Sequence, residues 1–152
     1  MKFILSKELG RLAKWLRILG YDTAYFNREN LSSLVIEALR DDRIILTRNQ
    51  RLSKTSGVKT VLVKSERFKD QIGQVLEELK IKLNARVMFS RCIICNVELE
   101  DIDKAKVKDK VPEYVFKTQG EFITCPKCQR IYWQGTHWGN VRRCLEEIES
   151  NA

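Results

Sequence analysis

Two C-x-x-C pairs, Cys92/Cys95 and Cys125/Cys128, set the strongest limit on how this chain folds. A two-residue spacing lets a tight turn aim two thiolates at one ion, and two such turns complete a tetrahedron. The 29 residues between the pairs exceed the usual short spacing, and an extended hairpin in a ribbon can absorb them. Two redox dithiols are the alternative, but such a pair usually opens a helix, and neither "CIIC" nor "CPKC" leads into a helical pattern. Four thiolates leave no open coordination position, so the expected ion is a structural Zn2+ held by Cys92, Cys95, Cys125 and Cys128. The fifth cysteine, Cys144, makes the count odd and argues against a secreted disulfide framework. It reads as a small buried apolar residue on a final helix.

Upstream of the cysteines the pattern differs. Short apolar runs at 2–5, 22–26, 43–47 and 59–64 alternate with amphipathic stretches at 7–19, about 31–40, and 66–82. In the first of these stretches Leu9, Leu12, Ala13, Leu16 and Leu19 share a face, and Gly20 marks its end. This alternation predicts an α/β unit with a parallel sheet flanked by helices. The texture changes near Leu83, which places a boundary at 84–90 and predicts two domains, 1–84 and 85–152. The second is a small zinc ribbon ending in a short helix over 139–150.

Charge indicates the class of partner. Lys and Arg total 28 against 20 Asp and Glu, a formal net charge of +8. Such a balance favours polyanions, because each neutralised phosphate releases condensed counterions. No apolar run approaches the roughly 20 residues needed to span a bilayer. The amino-terminal segment is also too polar for a secretory signal, so the expected location is cytoplasmic, with no membrane partner.

Several stretches together resemble the Mut-seven C-terminal RNase domain family. They are "LGRLAKWLRILGYDT" (9–23), "RIILTRNQRL" (43–52), "RCIICNVEL" (91–99), "VPEYV" (111–115) and "CPKCQRIYWQGTHW" (125–138). The resemblance implies a PIN-like nuclease fold followed by a zinc ribbon. It also implies a Mg2+ or Mn2+ site of acidic residues at the carboxyl ends of the parallel strands, where a metal-activated water attacks RNA. Carried over position by position, those acids fall on Ser6, Asn30 and Asn49. Hard divalent cations need anionic oxygens to offset dehydration, so three neutral side chains predict a degenerate catalytic site. Glu8 and Glu29 are the nearby carboxylates that could substitute.

The residues therefore point towards RNA binding. Lys7, Arg11 and Lys14 lie opposite the leucines of the first helix, with Arg17 extending the flank, and Arg48 and Arg51 surround Asn49. In the ribbon Arg130, Arg142 and Arg143 are interleaved with Trp133 and Trp138, a combination suited to unstacked bases. His137, the lone histidine, reads as an RNA or helix-cap contact before a catalyst. The expected function is an RNA-binding protein with a degenerate nuclease site, with RNA as partner and a ribonucleoprotein complex as a candidate setting. The alternatives are an active Mg2+- or Mn2+-dependent ribonuclease, and an adaptor whose zinc ribbon docks a protein complex.

Overall fold

A computed structural model describes residues 1–54 and 57–150, with side chains at all of these except 136–138. Four short strands form one parallel sheet: β1 (Lys2–Leu5), β2 (Asp22–Tyr25), β3 (Ile44–Thr47) and β4 (Thr60–Leu62). Their order is β2-β1-β3-β4, with Ile4 opposite Ala24 on one side and Ile45 on the other. Alternation along β1 sorts its side chains between two layers. Phe3 and Leu5 join the larger core with Leu12, Leu16 and Leu46, whereas Ile4 joins Ile45, Leu34 and Ala38 in a smaller one.

The first helical stretch begins as a single 3-10 turn, Lys7–Leu9, and continues as α1 (Gly10–Ile18). It ends at Gly20, whose φ of +98° suits a residue without a β-carbon. The neighbouring chain closes the same position sterically, because a Cβ on Gly20 would lie 2.3 Å from the Val87 carbonyl oxygen. Helix α2 (Leu31–Arg40) covers the opposite layer, α3 (Gln50–Ser53) is a single turn after β3, and α4 (Phe68–Glu78) returns to the side of α1. The 66–82 expectation shortens because Lys80 turns left-handed (φ +52°) and the Ile81 N–H bonds back to Leu76 O.

The second part holds the antiparallel sheet β5 (Glu100–Ile102), β6 (Phe122–Thr124) and β7 (Ile131–Trp133). The lysine-rich stretch between β5 and β6 folds into two short helices, α5 (Lys104–Val107) and α6 (Glu113–Thr118). Val107, Val115 and Phe122 form a core of their own beneath them. Helix α7 (Thr136–Ser150) leaves the ribbon and packs elsewhere. Its Val141, Cys144, Leu145 and Ile148 complete the larger core of the parallel-sheet unit, so α7 is energetically part of the first layer. Among the described residues no helix is long and apolar enough to cross a membrane.

Candidate functional site

Each cysteine pair sits in a turn of the same construction. In the first, Cys92 N–H donates to Val97 O and Asn96 N–H to Cys92 O; in the second, Cys125 N–H donates to Arg130 O and Gln129 N–H to Cys125 O. Asn96 (φ +67°) and Gln129 (φ +65°) supply the matching left-handed residues. Backbone N–H groups of Cys95 and Cys128 point at the Sγ of Cys92 and Cys125, each at 3.4 Å. The two turns meet, and all four Sγ atoms lie within 4.8 Å of one another.

This donor set fits a tetrahedral ion. Bonds of 2.3 Å imply sulfur–sulfur separations of ~3.8 Å, and Cys92 Sγ is 3.7 Å from Cys128 Sγ. Burial pushes the Cys92 thiol up, but hydrogen bonds from Tyr132 Oη and from the Cys95 and Ile94 N–H groups bring it to about 6. Cys95, raised by desolvation and by the neighbouring sulfurs to about 12, shows the repulsion that a cation would relieve. The tyrosine, whose Oη lies 3.1 Å from Cys92 Sγ, has no signal in the spacing of the cysteines.

The first knuckle is also bonded to the parallel-sheet unit. Arg17 does not extend a positive outer flank. It is 9% exposed, and its guanidinium donates to Thr23 O (2.9 Å), Ile93 O (2.8 Å) and Ile94 O (3.2 Å). The chain that follows α1 and the knuckle supplies these carbonyls, so the arginine turns inward to satisfy them. Beside it Asn96 takes the Thr23 N–H and donates to Asp22 Oδ1, which also accepts from Arg43.

At the carboxyl ends of β1 and β3 the structure gathers Ser6, Glu8, Thr47 and Asn49. Ser6 Oγ is 2.7 Å from Glu8 Oε1 and 2.8 Å from Thr47 Oγ1. Glu8 Oε1 also accepts from the Arg48 N–H at 2.9 Å, and Thr47 Oγ1 accepts from the Asn49 N–H at 3.0 Å. Burial raises the Glu8 carboxyl pKa, but the bonds from Ser6, Arg48 and Thr47 outweigh it and leave it below the usual value. The 3-10 turn carries Glu8 back over the strand ends, an effect that helical periodicity does not reveal. Asn49 Oδ1 caps α3 through the Arg51 and Leu52 N–H groups, and Asn30 Oδ1 caps α2 through Ser33. Glu29 is exposed and paired with Lys7 at 3.2 Å.

Two asparagine oxygens are committed to helix caps, and the carboxylate at the strand ends is held by its own donors. Among the described residues, the four cysteines are the only group of three or more metal-ligating His, Cys, Asp or Glu side chains.

The basic candidates are spread over several surfaces. Lys7, Arg11 and Lys14 are exposed, with the Arg11 guanidinium 3.6 Å over the Phe68 ring. Arg51 is exposed after β3, and Arg48 is half-buried with NH1 3.7 Å from Glu66. Arg130, Arg142 and Arg143 are exposed, and Trp133 is partly open with its ring edge against Phe122. His137 and Trp138 lie outside the described residues.

A family model described as Mut7-C RNAse domain matches residues 1–145. No curated protein and no solved structure matches the chain.

Proposed function

The chain belongs to the Mut7-C RNAse domain family, and from that premise we propose that it binds RNA on a PIN-like scaffold whose nuclease site is degenerate. The observation that carries this reading is the strand-end network. Glu8 Oε1 accepts from Ser6, the Arg48 N–H and Thr47, and Ser6, Asn30 and Asn49 stand where the family resemblance would place acids. Without a cluster of carboxylates, the cleft repels phosphate less, and Arg48 and Arg51 stand beside it. The net charge of +8 and the exposed Lys7, Arg11 and Lys14 support the same partner.

We assign Zn2+ to Cys92, Cys95, Cys125 and Cys128, where it would crosslink the two knuckles and supply folding energy. Closed by four sulfurs, it offers no position to substrate. What the chain's own residues contribute is orientation. Tyr132 Oη and the knuckle N–H groups hold the sulfurs, and the buried Arg17 sets a positive charge against the knuckle's carbonyls.

The test is one preparation assayed twice, for binding of labelled single-stranded RNA across a salt series and for cleavage with Mg2+ or Mn2+. Binding should weaken steeply with salt, and the slope should fall when Arg11 and Lys14 are both replaced by Ala. Cleavage should be absent. Metal-dependent cleavage abolished by Glu8→Ala would overturn the reading in favour of an active ribonuclease.

A further inference from the structure

Between the end of α1 and the ribbon, beside the cysteine site with which it shares Tyr132, lies a cavity of about 260 Å3. Four aromatic residues, Phe89, Phe122, Tyr132 and Trp133, line it together with four aliphatic ones, Ile93 among them. Polar groups reach the same space from half-buried Arg91 and exposed Glu121 and Gln134. Ligand pockets for drug-sized molecules start at about 300 Å3, so this one is scaled to a single flat ring system.

We propose that this cavity receives one unstacked nucleobase of a single-stranded RNA, an inference that rests on the RNA-binding reading above. Three observations converge on a base. Aromatic faces stack on any base, and single-stranded RNA is recognised by splaying bases onto such faces. The polar lining suits a base edge: the Glu121 carboxylate can accept from an exocyclic amino group and the Gln134 amide can both donate and accept, while Arg91 is held by Asn96 O and Glu98. The ribbon also carries exposed cations, Lys127 in the second knuckle and Arg130 just before β7.

The backbone supports a built site. Phe89 holds φ +62°, a region that a bulky residue seldom enters, and its N–H is fixed to Ile18 O at 2.8 Å. Strain of this kind persists where the surrounding structure over-determines it, and it gathers at ligand-binding positions. Here it sets an aromatic ring into the cavity wall. Trp133, 37% exposed and edge-on to Phe122, also lines the cavity.

The experiment compares two labelled octanucleotides on the full chain: a mixed-sequence RNA, and the same backbone with base-free residues that keep the 2′-hydroxyl. The base-bearing strand should bind about tenfold tighter or more. Trp133→Ala should erase that preference while leaving the salt slope unchanged, and Trp133→Phe should keep most of it. Crosslinking a 4-thiouridine strand to the unaltered chain needs no variant, and adducts on Phe89, Tyr132 or Trp133 are expected. Adducts confined to α1 would overturn the proposal. Equal binding of both strands would also overturn it, return the cavity to a protein-docking role and leave RNA binding intact. Failure of both strands to bind at low salt would remove the RNA reading together with this one.

Discussion

Asn96 Nδ2 lies 2.7 Å from Asp22 Oδ1, while Asn96 Oδ1 takes the Thr23 N–H at 2.9 Å. One amide thus does two jobs. Its left-handed backbone, which Asn tolerates better than most residues, closes the first cysteine turn. Its side chain caps an edge strand, because β2 is the outermost strand of the parallel sheet. An uncovered edge invites pairing with other chains, so the cysteine turn also protects the sheet.

Replacing Asn96 separates the two jobs. Asn96→Gly keeps the left-handed turn and removes the amide, leaving Thr23 N–H without its acceptor and Asp22 without one donor. A loss of about 1–3 kcal/mol is expected, read by denaturant unfolding with the metal content checked. An unchanged midpoint would mean that water replaces the amide at no cost.

Asp22 makes the same junction sensitive to acid. Burial raises its carboxyl pKa, but hydrogen bonds from Arg43 and Asn96 outweigh this and hold it below its ordinary value of 3.8. A depressed folded pKa contributes stability that is present above the unfolded value and is lost as pH falls through the folded one. The wild-type melting temperature should therefore fall below about pH 4, and Asp22→Asn should flatten that limb. Melting curves between about pH 2.5 and 6 provide the check; parallel curves for the two proteins would exclude Asp22 as the source.

Metal removal should act mainly on the second part of the chain. We expect one Zn2+ per chain by elemental analysis, lost in Cys125→Ser, with the ribbon's signals collapsing on chelation. The core around Phe3, Leu12 and Leu46 draws on other residues and should keep its helical signal longer. A ribbon that stays folded without metal would contradict the assignment.

Ser6→Asp with Asn49→Asp tests the strand ends from the opposite direction. Two new carboxylates beside Glu8 repel one another in metal-free buffer, so the variant should be less stable there and bind RNA more weakly. Mg2+ or Mn2+ should recover stability, by roughly 2–4 °C for each kcal/mol of binding free energy. Asp caps a helix as well as Asn, so the cap on α3 should survive. A variant indifferent to metal would show that more than these two side chains separates the site from a cation-binding one.

Much of this was legible in sequence. The apolar runs gave the four parallel strands because buried parallel strands are nearly continuous in Val, Ile and Leu, and the C-x-x-C spacing gave both knuckles. Glu8 was legible as a nearby carboxylate, but its place over the strand ends was not, since a 3-10 turn shifts its direction by a fraction of a turn and helical periodicity hides that. Arg17 looked like its exposed neighbours, and only the carbonyls of Ile93 and Ile94, more than seventy residues away, explain why it turns inward. Helix α7 was found by its period, but an amphipathic stripe does not say which core it will enter.

The placement of α7 bears on how the protein is made. The larger core is completed by Val141, Leu145 and Ile148, whereas the rest of it has been synthesised by Leu79. At ~5–20 residues per second, the faces of α1 and α4 wait roughly 3–14 s for their final layer. The ribbon is built during that interval, as an excursion inserted between two parts of one core. Premature truncation in the ribbon would leave the larger core without Val141, Leu145 and Ile148, its last layer.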